Sequence, residues 1–204
     1  MDRTIYIVDD DSAVINALQN LLSSEGYLIS TFTSPAEFLN QPHYRTPSCL
    51  IVDMNMPGLD GFDVSHHLTA RGYTLPTIFL TGFGTIPLTV RAMKAGAFEF
   101  LTKPVMPDEL MQVVSAAMAL AEKSAALSQE RILLTGRYHS LTPREMELMQ
   151  FVIRGLLNKQ IAAEMGISEI TAKVHKRRVM EKMAVRSVSE LVRAAEKLHL
   201  LQDE

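Results

Sequence analysis

Several polar side chains stand where short apolar runs end. Asp9 and Asp10 follow the run 4–8, Asp53 follows 49–52, Thr81 follows 77–80, and Lys103 comes just after 98–101. If these runs are neighbouring parallel strands, the polar groups emerge at one edge of one sheet, where open α/β sheets keep their ligand crevice. A carboxylate in such a crevice can take a phosphoryl group and become an acyl phosphate. Both reactants are anionic, so a divalent cation must bridge them. Asp53 is the candidate nucleophile, and Asp9 and Asp10 supply hard oxygen ligands. The backbone carbonyl of Asn55 is placed to complete a Mg²⁺ shell, an ion that takes one or two carboxylates together with water and phosphate oxygens. Lys103 offers a point charge to phosphoryl oxygens and Thr81 a hydroxyl donor. Taken singly, three consecutive aspartates read equally well as a solvated strand end, Phe100 as core, and Lys103 as a surface charge. Their joint placement at successive run ends favours an acid pocket.

Such a pocket needs a sheet to position it. Strand-like runs at 4–8, 27–32, 49–53, 77–80 and 98–101 alternate with segments of helical periodicity, carried by Val14, Leu18, Leu21 and Leu22, then Phe62, Val64 and Leu68, then Val90, Met93 and Ala97. That alternation predicts a doubly wound α/β fold, a five-stranded parallel sheet with helices on both faces. Asp11 and Ser12 read as the cap of the first helix, and Ser34 followed by Pro35 opens the second.

Beyond Met106 an Ala-rich amphipathic stretch runs toward Ile132, with Leu134-Thr-Gly136 expected to interrupt it. After that everything reads helical, at roughly 143–155, 158–165, 169–183 and 187–198, with Thr142, Asn158, Ser168 and Ser187 as N-caps. The domains predicted are therefore 1–122, a partly helical linker 123–140, and a smaller all-α domain 141–204.

With 204 residues and 47% hydrophobic composition, the chain can bury a real core. No purely apolar run approaches the ~20 residues of a membrane span, and acidic residues by position 9 argue against a signal peptide. A cytoplasmic protein with no membrane partner is expected. Cys49 is the single cysteine, which excludes an intrachain disulfide. The net charge of −3 is uneven, with −6 over residues 1–136 and +3 over 137–204. A basic second half is compatible with nucleic acid.

Residues 158–168 read as a short helix, a glycine turn and a new cap, followed by a basic amphipathic helix. This is a helix-turn-helix layout whose second helix enters a major groove. At 100° per residue, Ala172, Val179 and Met183 share one stripe, while Lys173, Val174, Arg177 and Arg178 fall opposite. His175 lies nearer the packed stripe and reads as structural.

Two resemblances rest on these residues. Residues 1 to about 122 resemble a response-regulator receiver domain through Val8-Asp-Asp-Asp11, Asp53-Met-Asn-Met-Pro-Gly58 with Gly61, Leu80-Thr-Gly82 and Thr102-Lys-Pro104. Residues 141–197 resemble the LuxR/FixJ-type DNA-binding domain through Leu141-Thr-Pro-Arg-Glu145, Gly155, Asn158-Lys-Gln-Ile-Ala162, Gly166-Ile-Ser168, Thr171-Ala-Lys-Val-His175 and Val185-Arg-Ser187. The first resemblance implies phosphorylation of Asp53 by a sensor histidine kinase, Thr81 and Phe100 as switch residues, and a cis bond before Pro104. It further implies that the face formed by about 86–103 rearranges to promote a homodimer. The second implies that Lys173, Val174 and Arg177 reach base edges of promoter DNA while Thr171, Lys176, Arg178 and Lys182 position phosphates. RNA polymerase stays open as a further partner. FixJ-like receivers often carry His and Asp where this chain has Phe83 and Thr85.

A transcriptional regulator rather than an enzyme is therefore expected. The alternatives are a DNA-binding regulator indifferent to phosphorylation and, further off, an aspartyl phosphohydrolase or an RNA-binding antiterminator. The hydrolase is disfavoured because Asn55 stands where an acid-base carboxylate is wanted.

Overall fold

The computed structural model describes residues 3–82, 86–94 and 96–201, except the side chains of 86–89. Phe83 and Thr85 lie outside the described residues. The chain divides into two compact units, Met1–Ala126 and Leu127–Glu204.

In the first unit, β1 (Thr4–Val8), β2 (Leu28–Phe32), β3 (Ser48–Asp53), β4 (Thr77–Thr81) and β5 (Glu99–Thr102) form one parallel sheet in the order β2-β1-β3-β4-β5. The helices α1 (Ser12–Ser24), α2 (Pro35–Leu39), α3 (Gly61–Ala70) and α4 (Ile86–Lys94) are the crossovers that parallel pairing requires. Strand residues alternate between two cores. Ile5, Ile7, Cys49, Ile51, Ile78 and Leu80 pack with Leu18 and Leu22 of α1, while Tyr6, Val8, Leu50, Val52 and Phe79 pack with Phe38, Phe62, Val64 and Leu68. Covered on both faces, β1, β3 and β4 are apolar at nearly every position, so the strands read as continuous runs.

Local caps fix where the helices start. Asp11 accepts from the amide of Ala13 at 2.8 Å and Ser34 from that of Glu37 at 3.3 Å. Asp60 and Asp63 exchange side-chain and backbone bonds in a capping box that starts α3 immediately after the Asp53 loop. The peptides preceding Pro47 and Pro104 are cis, the second as the resemblance implied.

One sequence expectation is corrected by α5 (Pro107–His139). Leu134-Thr-Gly136 does not interrupt it, because Leu134 is buried and Tyr138 packs against the helical core beyond, which outweighs the weak helix propensity of one glycine. At 33 residues, α5 is also long and apolar enough to cross a bilayer by length and composition, with an 18-residue window of mean hydropathy 1.2. Its Leu110, Val114, Ala117, Met118 and Ala121 are instead buried against the sheet, which marks the core helix of an α/β unit.

The second unit packs α6 (Pro143–Ile153), α7 (Asn158–Met165), α8 (Glu169–Met183) and α9 (Val188–Lys197) around Leu148, Met149, Val152, Ile161, Val179, Met183 and Leu191. Asn158 is not the N-cap of α7, as the sequence suggested. It is the first helical residue, and the cap position belongs to Leu157, whose amide donates to Gln160 Oε1 at 2.8 Å.

Candidate functional site

The carboxyl ends of β1, β3, β4 and β5 bring together the residues singled out in the sequence. Parallel register sets Asp53 beside Leu80 and Thr81 beside Thr102, and Lys103 donates its backbone amide to Thr81 O at 2.7 Å. The Lys103 ammonium then reaches back across the sheet edge to Asp53 Oδ1 at 2.6 Å and Asp9 Oδ2 at 2.7 Å. The other oxygens of both carboxylates are also occupied, since Asn55 N donates to Asp53 Oδ2 at 2.8 Å and Asp11 N to Asp9 Oδ1 at 2.9 Å. Thr81 is fully buried at the end of β4, and Phe100 is half-buried on β5, opposite Phe79 and against the second core.

Asp9 and Asp53 are buried, while Lys103 keeps about a quarter of its side chain in solvent. Burial raises the Asp9 carboxyl above its ordinary range, against the lowering effects of Lys103 and the Asp11 amide. For Lys103, burial acts to lower the value, but bonds and charge from Asp53 and Asp9 more than offset it and the ammonium is held more firmly protonated. One cation thus bridges two carboxylates and offsets part of the repulsion between them in a desolvated site.

Asp10 and Asn55 are exposed beside this cluster. Among the described residues no three His, Cys, Asp or Glu side chains are grouped as a metal site. The two buried carboxylates still form a hard-oxygen pair of the kind Mg²⁺ takes.

The pocket wall is tight. A Cβ on Gly61 would lie 2.8 Å from the carbonyl oxygen of Asp53 and 3.1 Å from the Phe79 ring. Phe79 meets Phe62 at 5.3 Å between centroids, and the Arg91 guanidinium of α4 sits 4.4 Å over Phe62. The spacing from Asp53 to Gly61 was noticed in the sequence, but the packing that demands glycine was not.

In the second unit, Gly166 adopts φ +65° between α7 and α8, a left-handed turn that glycine makes without penalty. Ser168 then caps α8 by accepting from Thr171 N at 3.1 Å. The inner face of α8 is Ala172, Val179 and Met183, all buried. Lys173, Val174, Arg177 and Arg178 are exposed on the other side, with Thr171 and Lys176 half-buried at its edges. Arg177 pairs with Glu181 at 2.7 Å in solvent. His175 is half-buried, and its Nδ1 is one of the buried polar atoms without a hydrogen-bond partner.

Lys182 departs from its expected role. Its ammonium bonds Glu145 Oε2 at 2.6 Å and Ser140 O at 3.1 Å, so it ties α8 to the start of α6 rather than standing free for a phosphate. Glu145 also accepts from Thr142 N at 2.8 Å. Its carboxyl is held below the usual range, chiefly by Lys182. The Thr142-x-x-Glu145 capping box was a readable signal for this buried acid.

Comparison with known proteins extends these observations. Residues 5–115 match the family model described as the response regulator receiver domain, and residues 139–195 match that of bacterial regulatory proteins of the luxR family. The chain is 44% identical to the response regulator protein TodT of Pseudomonas putida over 95% of this chain and 86% of that protein. It is 40% identical to the transcriptional regulatory protein FixJ of Bradyrhizobium diazoefficiens over 98% of this chain and 97% of the other. Among solved structures, the response regulator StyR superposes with a TM-score of 0.87 at 42% identity, covering 97% of this chain and 100% of StyR. Full-length FixJ from B. japonicum gives 0.58 at 38% identity over 98% of each chain.

Proposed function

Because the chain belongs to the two-component response regulators that join a receiver domain to a LuxR-type DNA-binding domain, we propose that Asp53 accepts a phosphoryl group from a sensor histidine kinase and thereby controls promoter binding. The family consists of transcriptional regulators rather than typical enzymes, and membership implies a histidine kinase and DNA as partners. The observation that carries the reading is the Lys103 ammonium shared by Asp53 and Asp9 in one buried cluster at the sheet edge.

In the transfer, an Asp53 carboxylate oxygen attacks phosphorus, the P–N bond to the kinase imidazole breaks with its electron pair going to nitrogen, and the imidazole, already protonated on its other ring nitrogen, leaves neutral. Lys103 is released from its pair with Asp53 to meet the phosphoryl oxygens, and the Thr81 hydroxyl donates to another of them. Receiver domains bind Mg²⁺ in general. Here the buried pair Asp9 and Asp53 would hold the ion, with Asp10 and the Asn55 carbonyl completing its shell, and the ion would supply charge neutralisation between the two anions.

The added charge reaches the surface through Thr81, at the end of β4, and Phe100, within β5. The face formed by about 86–103 then pairs two receivers (1–122), and the modules at 141–204, joined through 123–140, read half-sites related by a two-fold axis. Lys173, Val174 and Arg177 reach base edges, while Thr171, Lys176 and Arg178 position phosphates. Membership of this family supports a cytoplasmic location. The test is retention of a selected duplex with and without a small phosphodonor and Mg²⁺. A coupling of about 5- to 150-fold is expected in the wild type and none in Asp53→Asn. Equal affinity under all conditions favours a constitutive DNA-binding module.

A further inference from the structure

The outer face of α8 carries an apolar feature that the charges around it do not explain. Ile170 is 79% exposed and Val174, one turn later on the same side, is 46% exposed. Single exposed aliphatics are ordinary on protein surfaces. These two are β-branched, adjacent by helical spacing, and set among Lys173, Lys176, Arg177 and Arg178. A protein partner seeking an apolar ridge would have to desolvate or pair those four cations. Duplex DNA meets Lys176 and Arg178 with phosphates and Lys173 and Arg177 with base-edge acceptors and, at thymine, presents a C5-methyl group, the one apolar feature on a base edge in the major groove. Residues at the start of the second helix of a helix-turn-helix are the ones that meet base edges, and Ile170 is the second residue of α8. A β-branched side chain holds its methyl groups in few rotamers, so little entropy is lost on contact.

We propose that Ile170, together with Val174, forms an aliphatic ridge that reads thymine methyl groups, giving this chain a preference for T at two defined positions of each half-site. The proposal rests on the DNA-binding reading above. It adds Ile170 and a chemical basis of discrimination that hydrogen-bonding side chains alone do not supply.

The experiment begins with selection of preferred duplexes from a random library by the full-length protein. Each thymine is then replaced in turn by deoxyuracil, which removes only the methyl group. Burial of one methyl predicts that affinity falls about three- to fivefold at the contacted positions. Ile170→Ala should bind the parent duplex more weakly by a similar factor and be insensitive to deoxyuracil at one of those positions, with Val174→Ala insensitive at the other. Neither variant should change the salt dependence of binding, since neither residue neutralises a phosphate. Equal sensitivity of wild type and Ile170→Ala to every deoxyuracil replacement overturns the ridge while leaving DNA binding intact. Failure of the wild type to retain any duplex at low salt removes the DNA reading itself.

Discussion

Replacing Gly61 by alanine pits two effects of opposite sign against each other. Gly61 opens α3 with an ordinary helical backbone, and glycine to alanine in a helix is worth up to about 1 kcal/mol of stabilisation. The added Cβ, however, would stand 2.8 Å from the backbone oxygen of Asp53 and 3.1 Å from Phe79, neither of which is the free end of a flexible side chain. Overpacking of that kind costs about 1–3 kcal/mol, so the clash wins and the receiver loses about 1–2 kcal/mol. Gly136 supplies the control. It is also helical, but nothing lies within 4 Å of its Cβ, so Gly136→Ala should gain about 0.5–1 kcal/mol in the second unit. Urea unfolding read by hydrogen exchange separates the two units. With a slope of about 2 kcal/mol/M, the first-unit midpoint of Gly61→Ala should fall by roughly 0.5–1 M. Because the displaced oxygen belongs to Asp53, labelling by a phosphodonor should slow as well. A Gly61→Ala protein as stable as wild type, alongside a stabilised Gly136→Ala, would refute the claim that this loop needs glycine for space.

Further expectations follow from the same geometry. Glu145→Gln should cost the second unit about 1–2 kcal/mol near neutral pH, the pair being half screened because Lys182 is partly exposed. Because the folded-state carboxyl lies below its ordinary 4.5, the stability it contributes is present above that pH and lost as pH falls through the folded value, so denaturation profiles of wild type and variant should converge in acid. Lys182→Gln should lower stability and leave the salt slope of DNA binding unchanged, whereas Lys176→Gln should do the reverse and reduce the slope by about 1 in duplex titrations. The Cys49 thiol, buried and pushed up to about 12, should resist a thiol reagent at about pH 8 in the native protein and react fully once unfolded.

The parallel sheet was legible because β1, β3 and β4 lie between two cores, which leaves them apolar from just after their first residues, Thr4, Ser48 and Thr77, to their carboxyl ends. There Asp9, Asp53 and Thr81 mark where the apolar run stops, so element boundaries and candidate pocket were read from the same residues. The helix-turn-helix was legible through Gly166 and Ser168, whose turn and cap are local chemistry. Features set by distant packing were not. Lys182 reads as one more cation on a basic helix until Glu145, 37 residues earlier, is seen against it. Gly136 reads as a helix breaker until Leu134 and Tyr138 are found anchored in the core. The need for glycine at 61 depends on the Asp53 carbonyl and Phe79, which no periodicity reveals.

The central claim, that Asp53 is the phosphoryl acceptor, is tested most directly by trapping the product. The full-length protein, incubated with a small phosphodonor and Mg²⁺, is reduced with borohydride and mapped by peptide mass. An acyl phosphate at Asp53 predicts homoserine at that position alone, absent from Asp53→Asn and from protein without donor. Homoserine at another carboxylate, or none at all under conditions that label a known receiver, would contradict the account.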